Sequence, residues 1–173
     1  MKNFLGYTFV TIIVLVGLYV LYYYDNRQVK VKFAGCIDGD TVWINIDNKK
    51  EKVRLLAIDA PEIGDDYGEV AKNYLCDKLS NANSINVEYD NNSDVKDKYG
   101  RVLAWVFADE ENINKSLVSS GYARVRYIYN DYKYVRDLCI EQEEAYKEKI
   151  GVWEKDNSYK ENYCIKKKII DNS

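Results

Sequence analysis

The sequence predicts an α+β domain, a small closed β-barrel with inserted helices, preceded by an apolar N-terminal span. Three observations carry this. Residues 4–24 contain no charged side chain. Five short segments after them alternate apolar and polar residues or run apolar between turn residues. Three further segments carry apolar residues at helical spacing.

The N-terminal run, Phe4 to Tyr24, is long enough for a membrane span. At about 1.5 Å per residue it covers roughly 30 Å, the thickness of a bilayer core. It ends in Val20-Leu21-Tyr22-Tyr23-Tyr24, an aromatic cluster of the kind found at membrane interfaces. A cleavable signal peptide has a shorter apolar region and a small-residue cleavage site. An uncleaved signal anchor, a transmembrane helix over 4–24, is therefore favoured over a cleaved peptide. Lys2 favours an inside N-terminus, whereas Arg27, Lys30 and Lys32 pull the other way, so charge does not fix the orientation.

Residues 25–28 form a polar linker. Val29, Val31 and Phe33 alternate with Lys30 and Lys32 as a first strand. Thr41 to Ile46 is a second, through Val42, Ile44 and Ile46. Asp47-Asn48-Lys49-Lys50 is a polar turn, and Val53 to Ile58 a third, more continuously apolar strand. Ala71, Tyr74, Leu75 and Leu79 fall at helical spacing. Ile85, Val87 and Tyr89 make a fourth strand and Val102 to Phe107 a fifth. Ile113, Leu117 and Val118 predict a short helix with Asn112 as N-cap and Gly121 as stop. Val135, Leu138, Cys139, Gln142, Ala145, Tyr146 and Lys149 mark one face of a last helix ending at Gly151. The domain thus spans residues 29–153, and 154–173 is a polar tail. Five strands with inserted helices suggest a barrel of OB type, which by itself names no function.

Composition narrows the chemistry. The chain of 173 residues has no histidine, which excludes His triads, His bases and His metal ligands. Net charge is −3. Without residues 1–24, which hold only Lys2, 24 basic side chains face 28 acidic ones, a net of −4. A claim of nucleic-acid binding must therefore rest on a local basic site rather than on overall charge. The four cysteines, 36, 76, 139 and 164, contain no CxxC pair, which argues against a zinc knuckle. Two disulfides with any of three connectivities, or free thiols, both fit.

Four segments stand out. Ile37-Asp38-Gly39-Asp40-Thr41-Val42 sets two aspartates about a glycine at a strand start. Alone it reads as a turn. Val53-Arg54-Leu55-Leu56-Ala57-Ile58-Asp59-Ala60-Pro61-Glu62 puts a charged Arg54 inside an apolar strand, with Asp59 and Glu62 at its end. Alone, Arg54 reads as an edge-strand surface residue and the two acids as strand-end caps. Asp97-Lys98-Tyr99-Gly100-Arg101 reads as a hairpin turn. Tyr127-Ile128-Tyr129 reads as strand packing with both tyrosines on one face. Together they supply the parts for phosphodiester hydrolysis. Carboxylate oxygens suit a hard cation such as Ca²⁺. A further carboxylate can act on water. Two arginine forks can orient phosphate, and tyrosine rings can stack on bases.

With these motifs in this order and spacing, the sequence resembles the staphylococcal (micrococcal) nuclease family over about residues 30–153. Gly151-Val152-Trp153 also matches that family's domain end. The resemblance implies a five-stranded OB barrel with three helices and a Ca²⁺-dependent endonuclease acting on DNA and RNA with little sequence specificity. It implies that Asp40 and Asp59 bind calcium through carboxylates and Ala60 through its backbone carbonyl. The family's best-known enzyme has threonine at the Ala60 position, a change that a backbone ligand tolerates. It casts Glu62 as the base acting on water, with Arg54 and Arg101 as the other catalytic residues. Lys98, Tyr99, Tyr127 and Tyr129 fall at substrate-contact positions. One departure stands out: only Ile63-Gly64-Asp65-Asp66-Tyr67 separates Glu62 from Gly68, where that enzyme has a longer, basic loop.

The expected protein is a monomer that meets the membrane through its N-terminal helix. Its domain lies outside the cytoplasm, or is secreted if the segment is cleaved. The alternative is a non-catalytic OB-fold module tethered to a membrane, binding nucleic acid or protein. A degenerate domain would have lost some of Asp40, Arg54, Asp59, Glu62 and Arg101, and this chain keeps all five.

Overall fold

The computed structural model describes residues 11–19, 28–155 and 163–166. Residues 11–19 form helix α1, whose apolar side chains, among them Leu15 and Tyr19, are exposed. Among the described residues, no helix is long and apolar enough to cross a membrane. The rest of the expected span (4–10 and 20–24), most of the expected linker (25–27) and most of the expected tail (156–162 and 167–173) lie outside the described residues.

The alternation read from the sequence becomes a β-meander. β1 (Gln28–Cys36) pairs antiparallel with β2 (Thr41–Ile46), and β2 with β3 (Lys49–Leu55). Asp47 and Asn48 both have positive φ, 50° and 63°, the backbone of a tight hairpin turn. After a two-residue strand β4 (Ile58–Asp59) and helix α2 (Gly68–Ser80), β5 (Ile85–Glu88) returns beside β1. Strand β6 (Val102–Ala108) pairs antiparallel with β5 and parallel with β3. That last pairing closes five strands, in the order β3-β2-β1-β5-β6, into a barrel. A short β7 (Glu111–Asn112) extends β6 at its outer edge.

The period-2 pattern explains the core. Val42, Ile44, Val53, Leu55, Val87 and Val106 point inward and are wholly buried. Helices cover the barrel. α2 buries Ala71, Leu75 and Leu79. α3 (Ile113–Ser119) starts at Asn112, whose side chain accepts from the Lys115 amide at 3.0 Å. α4 (Val135–Lys147) buries Val135, Leu138, Cys139, Gln142 and Ala145. A 3₁₀ turn, Gly151–Trp153, and a short α5 (Tyr163–Lys166) follow. The sequence left the cysteine pairing open. The structure joins Cys36 to Cys76, tying β1 to α2, and Cys139 to Cys164, tying α4 to α5.

Three expectations change. The last helix does not run to Gly151: α4 ends at Lys147, and Lys149 takes a left-handed φ of 55°. The third strand does not run to Ile58: it stops at Leu55, and Ala57 takes a left-handed φ of 62° before β4 begins. Residues 127–129 are not a strand. Only Arg124–Val125 (β8) pairs there, with β4, and Tyr127 has φ 57°. The two tyrosines therefore do not share the face of one strand.

Candidate active site

The site forms where β2 begins and β3 ends. The register Thr41↔Arg54 lays the start of one strand against the end of the other, and the Leu55 amide donates to the Asp40 carbonyl at 2.9 Å. The Asp-Gly-Asp turn is a turn as well as a site. Asp38 Oδ1 accepts from the Asp40 amide at 3.1 Å, an Asx turn. This frees the Asp40 carboxylate to point at β3. Gly39 permits the packing, because a Cβ there would stand 2.7 Å from the Cβ atoms of both Ala60 and Ala71.

Asp40 and Arg54 are each only 7% exposed. Arg54 Nε lies 2.9 Å from Asp40 Oδ1, and Arg54 NH2 lies 3.6 Å from Asp59 Oδ1. Arg54 NH1 donates to the Leu55 carbonyl at 2.7 Å. One guanidinium thus bridges two carboxylates. Asp40 also accepts from Thr41 Oγ1 at 3.0 Å, and from the Ala60 amide at 2.9 Å. Burial nevertheless pushes the Asp40 carboxyl up to about 6, against the lowering effect of Arg54 and the Ala60 amide. Arg54 alone therefore under-compensates the buried charge.

β8 brings a third arginine that the sequence reading did not single out. The pairing Asp59↔Arg124 sets Arg126 beside β4, where its NH1 donates to Asp59 Oδ2 at 3.0 Å. The Arg126 amide also donates to the Ala57 carbonyl at 3.0 Å. The Tyr127 ring lies near both guanidinium groups, 5.8 Å from Arg54 Cζ and 5.5 Å from Arg126 Cζ. Gln142 supports this strand from α4, its Oε1 accepting from the Val125 amide at 2.7 Å. Its place on the helix's apolar face was the only sequence signal for that role.

Glu62 is exposed and lines a cleft of about 580 Å³ with Asp59, Ala60, Asp65, Asp66, Tyr127 and Lys155, among others. Its backbone is fixed by the short loop: the Glu62 carbonyl accepts from the Asp65 amide at 3.0 Å. Gly68, the first residue of α2, packs directly against that carbonyl, and a Cβ there would collide with it.

Arg101 approaches from the hairpin turn before β6. Asp97 Oδ2 accepts from Arg101 Nε at 2.7 Å, and Asp97 Oδ1 accepts from the amides of Tyr99 and Arg101, each at 2.9 Å. Burial raises the Asp97 carboxyl, but these bonds outweigh it and hold the group below its usual range. The parallel register Val53↔Val102 sets this turn beside β3. Tyr99 carries Lys98 Nζ at 5.0 Å and Arg101 Cζ at 5.5 Å from its ring centre. Tyr129 is 77% exposed. The structure thus gathers Asp40, Arg54, Asp59, Ala60 and Tyr127 into one contact network and puts Glu62 in the adjoining cleft. Lys98, Tyr99 and Arg101 stand on a neighbouring turn.

Among the described residues, no group of three or more His, Cys, Asp or Glu side chains is gathered to hold a metal ion. The donors that do converge, Asp40 and Asp59, are carboxylates, and all four cysteines are in disulfides.

Comparison with known proteins identifies the family. A sequence model described as "Staphylococcal nuclease homologue" matches residues 52–155, which include Arg54, Asp59, Glu62, Arg101 and both tyrosines but not Asp40. The chain is 34% identical over 138 residues to endonuclease YncB of Bacillus subtilis (strain 168), covering 76% of this chain and 64% of that protein. It is 33% identical over 153 residues to the SPbeta prophage-derived endonuclease YokF of the same organism, covering 83% of this chain and 51% of that one. The chain therefore spans between half and two thirds of the length of these two relatives. It is 37% identical over 125 residues to a thermonuclease of Staphylococcus intermedius, covering 69% of this chain and 73% of that enzyme. By the extent of the family match and of this last alignment, the chain belongs to the staphylococcal nuclease homologue family.

Proposed function

We propose that this protein is a calcium-dependent endonuclease that hydrolyses phosphodiester bonds in DNA and RNA with little sequence specificity. The observation that carries the reading is Arg54, buried at a strand end and bridging Asp40 and Asp59 beside the cleft that holds Glu62. A guanidinium ion-paired to a carboxylate that lines the cleft is a preorganised phosphate donor.

The donor set fits a hard cation. Its ligands are oxygens, and burial leaves Asp40 short of compensating positive charge. Asp40, Asp59 and the Ala60 carbonyl would hold the ion, with water and substrate phosphate completing its shell. Bound there, calcium supplies Lewis-acid neutralisation of a phosphoryl oxygen. The protein's own groups do the rest. Glu62 accepts a proton from, or orients, the attacking water. Arg54 and Arg101 orient the phosphate and neutralise its growing charge, with Asp97 holding Arg101 in place. Lys98 and Tyr99 contact a neighbouring phosphate, and Tyr127 and Tyr129 stack on bases without reading them.

The deciding experiment is cleavage of single-stranded DNA, duplex DNA and RNA by the purified chain, with calcium and with excess chelator. Cleavage that needs calcium supports the reading, and full activity in chelator refutes it. The proposal includes a monomer held in a membrane by residues 4–24 with its domain outside the cytoplasm, or secreted if that segment is cleaved. The two disulfides support an oxidising compartment. Protease added to intact cells should then digest an anchored domain, and a protein both soluble and fully protected inside cells would refute the placement.

A further inference from the structure

The side of β2 and β3 that carries Arg54 continues away from the site as a basic, aromatic surface. Residues two apart on a strand share a face. Arg54, Lys52 and Lys50 therefore lie on one side of β3, and their partners Thr41, Trp43 and Asn45 lie on the same side of β2. Successive cations along β3 are spaced by two residues, about 6.6 to 6.8 Å. That step resembles the phosphate spacing of an extended single strand. Trp43 is partly exposed, and Lys50 Nζ and Lys52 Nζ lie 5.0 and 5.4 Å from its ring centre. β1 adds Lys32, opposite Asn45, and Lys30 two residues before it. No side chain on this side of β1 to β3 is acidic, although the chain as a whole is net negative.

Charge on the two sides of Arg54 differs. Beyond the C-terminal end of β3 the cleft sets Asp59, Glu62, Asp65 and Asp66 against Arg124 and Lys155, the latter paired with Asp66, so acids outnumber cations there and disfavour a phosphate backbone. Toward its N-terminal end lie Lys52 and Lys50. The parallel register Val53↔Val102 also sets Arg101, one residue before β6, at the level of Lys52. A strand whose scissile phosphate sits at Arg54 and Arg101 meets attraction in one direction and repulsion in the other.

We infer that the outer face of β2 and β3 is a binding track for single-stranded polynucleotide, with Lys52 and Lys50 on successive phosphates and Trp43 stacked on a base. The inference rests on the nuclease reading for its substrate class. It adds a second, sequence-independent subsite outside the catalytic cleft. Stacking on one aromatic ring with flanking cations is sufficient chemistry for such a subsite.

The test uses the full chain in nonionic detergent with chelator present, so that nothing is cut, and a dodecamer of deoxythymidylate as probe. Trp105 and Trp153 are buried, so quenching of tryptophan fluorescence by the oligonucleotide reports mainly on Trp43. The wild type should be quenched and Trp43→Leu should not. By anisotropy, Trp43→Leu should bind roughly 5- to 150-fold more weakly, the range for one lost base stack, and Trp43→Tyr should recover most of the affinity. Lys50→Gln/Lys52→Gln should make the slope of log K against log salt shallower by about 1.4, or about 0.7 per lost contact. Thermal melts check that each variant folds. Unchanged affinity and salt slope in both the tryptophan and the lysine variants would overturn the track and leave Trp43 a cross-strand packing residue. So would loss of binding to soluble glycerophosphoserine, the phosphatidylserine headgroup, with oligonucleotide binding intact, which would assign the face to lipid. A wild type that binds through this face yet cuts no polymer with any divalent cation overturns the hydrolytic function and leaves the track standing.

Discussion

Asp40 should make the apo-protein less stable as pH rises, and Asp40→Asn should remove that dependence. Its folded value of about 6 stands above an ordinary 3.8, chiefly because burial disfavours the charged form. The folded state therefore holds this proton more tightly than the unfolded chain. The resulting stability is fully present below 3.8 and is lost as pH climbs through 6. The whole interval corresponds to about 3 kcal/mol at 1.36 kcal/mol per pH unit. Integrated from pH 4.5 to 7.5, the loss is about 2 kcal/mol. The absolute effect of Asp40→Asn is mixed, because it relieves a buried charge and also unpairs Arg54. The pH dependence of the difference is cleaner, since other titrating groups are common to both proteins. Urea unfolding in chelator, with disulfides intact, should show the variant gaining about 2 kcal/mol on the wild type between those pH values. Saturating calcium should flatten the trend, because a bound cation favours the ionised carboxylate. Parallel stability curves in chelator would refute the claim that Asp40 is a strained, under-compensated charge.

Glu62→Gln should lower kcat by about 10²- to 10⁴-fold with little change in KM, the scale of general acid–base catalysis. A near-normal kcat at saturating calcium and substrate would remove Glu62 from the chemistry. Gly68→Ala should destabilise the fold by about 1 to 3 kcal/mol in urea titrations, because the new Cβ meets the Glu62 backbone and neither side can yield cheaply. A stability equal to wild type would show that this loop is soft. Arg126→Ala should tighten calcium binding by about 1.5- to 5-fold by calorimetry, the worth of an exposed ion pair that no longer competes for Asp59. An unchanged affinity would mean that the pair and the ion do not compete.

The barrel was legible because its strands obey the period-2 rule: Val42, Ile44 and Val87 were read as the apolar positions of alternating strands and are buried. Arg54 was legible for the opposite reason. A charge in an apolar strand, followed by two acids at the strand end, breaks the pattern that packing alone would write. The misreadings share one physical cause. Ala57 and Tyr127 both adopt left-handed backbone, which neither residue type advertises, so the strands were drawn through them. Arg126 was missed because its partner Asp59 is 67 residues away and meets it only through the β4–β8 pairing. The disulfide connectivity lay beyond sequence for the same reason, since it follows from which elements pack and not from cysteine spacing.

The distribution of charge, more than its sum, connects fold to proposed function. A net charge of −3 argues against a general affinity for polyanions. Yet the pleat sorts side chains by parity, so a strand can hold one sign of charge on one face whatever the total is. β3 does this: Lys50, Lys52 and Arg54 share a face, while Glu51 on the other parity pairs with Lys49 and Lys96. Where the strand ends, parity no longer sorts charge, and Asp59, Glu62, Asp65 and Asp66 gather around the cleft. The change from cationic face to anionic cleft falls at Arg54, which belongs to the first and is ion-paired to the second. A phosphate drawn along the face reaches a carboxylate-rich site there. Such a site repels a bare phosphate and favours one only when a cation is also bound, so the same arrangement that collects the polymer would make its cleavage depend on metal.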